Sequence, residues 1–185
     1  PITFSAQATY LITGGLGGFG LALAQWLVER GARNLVLASR RGVPPKQAQP
    51  IIDSLTTQGA TIRVVATDIS VREDVSRLLA EIKRSMPPLR GLFHAAMVLD
   101  DGLLLKLDRD CLHRVLAPKL SGAWNLHQLT SDLQLDHFVL FSSLSSVFGH
   151  AGQTNYAAAN AFLDQLAFHR RAQQLPCLTI NWGHL

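Results

Sequence analysis

Tyr156 and Asn160 stand four residues apart, so on a helix they share one face. Ser143 closes the apolar run before them and can reach that face from a strand terminus. A phenol that gives up a proton near neutral pH, against an ordinary pKa of about 10, needs a cation beside it. No lysine lies within a turn of Tyr156, and the candidate is upstream, Lys119 in Pro118-Lys119-Leu120-Ser121-Gly122. With a ketone held among these side chains, Ser143 can hydrogen-bond its oxygen and Tyr156 can protonate the alkoxide as hydride arrives. Lys119 then favours the phenolate, and Asn160 organises a water or the lysine.

A second group of residues supplies a place for the hydride donor. Thr13 runs into Gly14-Gly15-Leu16-Gly17-Gly18-Phe19-Gly20, where Gly15, Gly17 and Gly20 satisfy G-x-G-x-x-G between an apolar strand and an amphipathic helix. That context makes the pattern a dinucleotide fingerprint: glycines for a tight turn, close approach of a pyrophosphate and helix–strand packing, and helix N–H groups for the anion. The next apolar run ends Ala38-Ser39-Arg40-Arg41-Gly42, with no carboxylate to accept a ribose 2′-hydroxyl. A guanidinium pairs a 2′-phosphate in bidentate fashion, so NADPH is the expected cofactor, with Ser39, Arg40 and Arg41 at its phosphate and Arg40 foremost. Asp68 and Ile69 are expected at the adenine. His94-Ala95-Ala96 is expected where small side chains let the cofactor lie flat, and Thr13 and Leu16 complete the cofactor set.

These residues need a scaffold, and the chain alternates short apolar runs with amphipathic stretches, the mark of repeated β-α units. The pattern predicts strands over 9–13, 34–38, 61–66, 91–95, 137–142 and 177–181, and helices over 18–30, 46–58, 71–85, 108–131 and 153–174. Right-handed crossovers then give an α/β fold, a doubly wound parallel sheet of the Rossmann type with ligands at the carboxyl ends of the strands. The chain stops just past the sixth strand and so reads as a truncated catalytic core, one NADP-binding unit over residues 1–185.

Composition narrows the function classes. With 185 residues, 48% apolar and 16% charged, the chain can bury a single core of about 70% of its unfolded surface. No apolar stretch approaches the ~20 residues that span a bilayer, and no membrane association is expected. The net charge of +4 is scattered rather than gathered into a basic tract interleaved with aromatics, which argues against nucleic acid. The seven histidines are far apart in sequence, so no local metal-ligand pair exists and no metal is expected. Cys111 and Cys177 form no C-x-x-C motif and read as reduced thiols of a cytoplasmic protein.

The same residues carry a resemblance. Through Ile12-Thr13-Gly14-Gly15-Leu16-Gly17-Gly18-Phe19-Gly20, His94-Ala95-Ala96, Pro118-Lys119, Phe141-Ser142-Ser143, Tyr156-Ala157-Ala158-Ala159-Asn160 and Asn181-Trp182-Gly183, the chain resembles the ketoreductase domain of modular polyketide synthases. It is similar, too, to the ketoreductase of animal fatty acid synthase; both belong to the short-chain dehydrogenase/reductase superfamily. Ordinary members of that superfamily carry lysine four residues after the tyrosine. The synthase domains resemble this chain in placing asparagine there and lysine on the preceding helix. The resemblance implies reduction of a 3-oxoacyl thioester on the phosphopantetheine arm of an acyl carrier protein, beside other domains of one synthase. It also implies catalytic roles for Lys119, Ser143, Tyr156 and Asn160. Leu99-Asp100-Asp101 looks like the motif of B-type domains, which yield the (3R)-hydroxyl; Asp101 matches the diagnostic aspartate and would orient substrate together with Asn155. Phe148, where A-type domains carry tryptophan, agrees, whereas Ala151 departs from the proline of many B-type members. A catalytically silent NADP(H)-binding or scaffolding module of the same fold is the alternative.

Overall fold

The computed structural model describes residues 2–183. Strands β1 (Thr9–Thr13), β2 (Asn34–Ser39), β3 (Thr61–Ala66), β4 (Leu89–His94), β5 (His137–Ser143) and β6 (Leu178–Trp182) form one parallel sheet in the order β3-β2-β1-β4-β5-β6. Strand order reverses between β1 and β4, so the loops leaving their carboxyl ends diverge and open a crevice. The expected doubly wound sheet is therefore present.

Helices α1 (Gly18–Glu29), α2 (Gln49–Thr57), α3 (Arg72–Ser85), α4 (Arg109–Ala117), α5 (Ala123–Thr130), α6 (Ser145–Phe148) and α7 (Thr154–Ala172) flank the sheet. Alternate residues of each strand face opposite layers. Tyr10 and Ile12 of β1 pack with Leu27 and Val28 of α1, while Leu11 joins Val75, Leu126 and Leu163 on the other face. Every residue of β1 is buried, as a central strand covered on both sides requires.

The helix expected over 108–131 is present and carries one departure. It runs unbroken from Arg109 to Thr130, starting at an Asp108 cap that accepts from Cys111 N at 2.7 Å, but its middle turn, Pro118–Gly122 between α4 and α5, is π-helical. Pro118 has no N–H to bond back to residue 114, and the chain relieves the missing bond by widening one turn. Lys119 lies in that turn. The short α6, between Ser143 and the next loop, has no apolar period long enough to be visible in sequence.

Candidate active site

The glycine loop divides its labour. A Cβ on Gly15 would lie 2.8 Å from Ile12 O and 2.9 Å from Leu37 Cα, and one on Gly20 would lie 2.6 Å from Gly15 Cα. Both are buried and excluded from larger side chains by packing. Gly14 has φ 70° and closes the turn against Ala95 and Ala96. A Cβ on Gly17 would meet nothing nearer than 3.4 Å, and Gly17 lines the open cleft beyond. Gly17 is also the N-cap of α1 and makes no side-chain cap, which leaves the first-turn N–H groups of that helix facing an incoming anion.

That cleft holds about 800 Å³ along the carboxyl ends of β1 to β4. Thr13, Leu16, Ser39, Arg40, Arg41, Asp68, Ile69, Ala95 and Ala96 all border it. Both arginines are exposed, and neither is paired with a carboxylate among the described residues. Asp68 accepts from Ser70 N at 2.9 Å and Ser70 Oγ at 2.6 Å, which stiffens the loop after β3. The buried Asn125 on α5 holds the same loop by donating to Ile69 O and Ser70 O at 3.0 and 3.1 Å. An uncapped helix end, an open glycine, two unpaired arginines and two alanines on the wall fit a phosphorylated dinucleotide.

His94 lies beneath the cleft. It has no exposed surface and is absent from the cleft wall. Its Nδ1 shares a 2.7 Å hydrogen bond with Thr13 Oγ1, while Nε2 has no partner in good geometry. Burial, then the nearby Lys119 charge, brings its pKa down to about 3, so His94 is a neutral brace beneath the site. His113, Arg114, Met97 and Val98 also line the cleft and were missed, because nothing in their local pattern marks them.

A smaller pocket of about 160 Å³ adjoins it and shares Ala95 and Met97 with it. Its lining includes Lys119, Ser143 and Tyr156, drawn from the π-helical turn, the end of β5 and the first turn of α7. Phe19 closes another side, packing edge-on to Phe141 at 5.9 Å and tilted against Trp182 at 5.3 Å. The residue between Gly18 and Gly20 thus reaches the pocket wall, a role its sequence position does not reveal.

Lys119 is 2% exposed; its Nζ donates to Phe141 O at 2.8 Å and lies 5.5 Å from the Tyr156 ring centroid. Burial lowers its pKa to about 7, opposed by the Asp164 carboxylate. Near neutral pH the group therefore exchanges readily between ammonium and amine. Burial raises the Tyr156 phenol above its ordinary value, while the Asn160 and Ser143 side chains pull it back and Asp101 adds to the rise. Asn160, fully buried, donates to Tyr156 O at 2.8 Å, and its Oδ1 is left without a partner.

Asn155 is 1% exposed; Nδ2 donates to Asp100 O at 2.8 Å and Oδ1 accepts from Tyr156 N at 2.8 Å. It ties the Asp100-Asp101 segment to the start of α7. Asp101 is exposed and accepts from Gln153 Nε2 at 2.9 Å, while Asp100 pairs with Arg114 at 2.6 Å. Among the described residues no group of three His, Cys, Asp or Glu side chains could hold a metal ion, and no helix is long and apolar enough to cross a membrane.

Comparison with known proteins places this geometry. The family described as "KR domain" matches residues 8–185. A highly reducing polyketide synthase from Gibberella zeae is 45% identical over 99% of this chain, which spans 7% of that protein. The phenolphthiocerol synthesis polyketide synthase Pks15/1 of Mycobacterium bovis is 49% identical over 96% of the chain and 8% of its own length. Among solved structures, A-type ketoreductases from a modular polyketide synthase superpose with a TM-score of 0.90 at 44% identity, covering 95% of this chain and 37% of theirs. A ketoreductase domain from the bacillaene assembly line gives 0.94 at 33% identity, over 99% and 45%. The chain thus spans a small part of its curated relatives and under half of these solved domains, and it belongs to the ketoreductase domains of polyketide synthases.

Proposed function

We propose that the chain uses NADPH to reduce the 3-oxo group of an acyl thioester, carried on the phosphopantetheine arm of an acyl carrier protein, to the 3-hydroxyacyl thioester. The observation that carries this reading is the meeting of Ser143, Tyr156 and Lys119 in a pocket that shares Ala95 and Met97 with the dinucleotide cleft. Arg40 and Arg41 bind the 2′-phosphate, Gly17 and the α1 N-terminus the pyrophosphate, and Asp68 the adenine edge. The bound cofactor supplies the hydride.

The chain's own residues do the rest. Ser143 donates a hydrogen bond to the ketone oxygen and Tyr156 transfers its phenolic proton to that oxygen, leaving an alcohol on the substrate and a phenolate on the protein. The Lys119 ammonium, 5.5 Å from the Tyr156 ring centroid, stabilises the phenolate, while the Asn160 and Ser143 side chains oppose the burial that holds the proton on Tyr156. Asn160 Oδ1, a buried acceptor without a partner, accepts a hydrogen bond from a water or from the ammonium. Asp101, steadied by Gln153, meets the pantetheine arm and sets the (3R) outcome. Fold likeness does not bear on that outcome, since ketoreductases described as A-type superpose at 0.90.

An NADPH-oxidation assay with a 3-oxoacyl pantetheine thioester, followed by chiral analysis, tests this reading. Turnover with NADPH well above NADH and a (3R) product is expected. Cofactor binding without oxidation assigns the silent role instead, and a mainly (3S) alcohol overturns the part given to Asp101.

A further inference from the structure

Behind the pocket lies a polar network that the reduction scheme leaves unused. Asp164 stands on α7 one turn beyond Asn160 and two beyond Tyr156, on the same face. Its carboxylate lies 2.6 Å from Ser146 Oγ and accepts from Asn181 Nδ2 at 3.1 and 3.3 Å. Both donors also hold the turn that presents Ser143. Ser146 Oγ is 2.8 Å from Ser143 O, so its single proton is shared between that carbonyl and the carboxylate. Asn181 Nδ2 reaches Ser143 O and Ser142 Oγ at 3.3 Å each, and Ser146 Oγ at 2.9 Å. Three elements, α6, α7 and β6, thus converge on one acid.

We propose that Asp164 is a positioning residue for the reduction, clamping the Ser143 turn to the helix that carries Tyr156 through Ser146 and Asn181. The inference rests on the roles given to Ser143, Tyr156 and Lys119 above. Hydrogen bonds to an ionised acceptor are the stronger kind, so this acid holds the turn more firmly than a neutral residue would. Its charge acts in the same place. Lys119 is packed against Tyr156 from α7 and against neutral His94 from β4, and Asp164 is the charge that favours its ammonium. Removing that charge lets burial depress the lysine further, so alkaline loss of turnover begins at lower pH.

Two variants of the whole chain separate clamp from charge. The sequence has four lysines, so NMR titration of ¹³Cε-labelled lysine, with Lys119→Met as the assignment control, follows Lys119 without any turnover. Asp164→Asn should move that titration to lower pH and reduce kcat about tenfold with little change in KM. Ser146→Ala should lower kcat and leave the titration in place. An unmoved Lys119 titration in Asp164→Asn, or wild-type rates in both variants, overturns the proposal. A chain that binds NADPH and reduces nothing refutes the reductase reading, whereas the lysine titration still decides whether Asp164 acts on this site.

Discussion

The dinucleotide cleft and the pocket around Tyr156 share a wall, yet they are assembled differently. The cleft's phosphate end is local: one strand, one loop and one helix start, with Gly14, Gly15, Gly17 and Gly20 inside a single short stretch. The pocket is assembled at long range, from a π-helical turn, the end of β5 and the start of α7. The first depends on backbone shape, in which a Cβ is the offending group. The second depends on buried polar side chains, whose protonation follows from what surrounds them. His94 joins the two, bonded to Thr13 at the loop strand and within the field of Lys119 at the pocket floor.

The largest effect expected from this contrast is chemical. Tyr156→Phe removes the phenolic hydroxyl and keeps the ring, and should cut reduction at least a thousandfold, about 4 kcal/mol of barrier, with NADPH affinity unchanged by fluorescence titration. Comparable loss of cofactor binding would show that pocket and cleft are not separable. The glycines give the converse test. Gly20→Ala forces a methyl into the Gly14-Gly15 backbone and should cost about 3 kcal/mol in urea unfolding, along with cofactor binding. Gly17→Ala should leave stability alone, because its Cβ meets nothing nearer than 3.4 Å, and should weaken NADPH if the pyrophosphate lies against that glycine as proposed. Equal behaviour of the two variants would end the division of labour between them.

The bridging histidine provides a third test. Its folded pKa of about 3 lies below the ordinary 6.5, so the unfolded chain binds the proton first. Its contribution to stability is complete above pH 6.5 and is lost progressively as pH falls towards 3, with a slope of at most about 1.4 kcal/mol per pH unit. His94→Asn, which can still bond Thr13, should flatten that limb of the unfolding free energy measured against pH. A limb of unchanged slope would mean that His94 is not buried neutral. Smallest of the four is Arg40→Ala, which should narrow the preference for NADPH over NADH about tenfold by losing one charge-assisted contact. An unaltered ratio would move the 2′-phosphate away from Arg40.

Legibility in the sequence follows the same contrast. The glycine spacing, the missing carboxylate after Ala38 and the alternation of strands and helices are local patterns, and the structure has the sheet they imply. The burial of His94 and Asn155 is not legible in the sequence, because their neighbours along the chain border the site while their own side chains turn inward. The places of Phe19, Trp182, Arg114 and Asp164 are not legible there either, because each reaches its place only through partners far along the chain.

Sequence alone therefore determined the fold class, the glycine loop and the types of side chain available for proton transfer, since periodicity, steric need and titration chemistry are properties of short segments. Only the tertiary structure decided that Pro118 widens a helix to seat Lys119, that burial leaves this lysine near pH 7, and that Asp164 stands behind it. Those outcomes depend on solvent exclusion and on charges brought together from distant parts of the chain, and no local pattern records either.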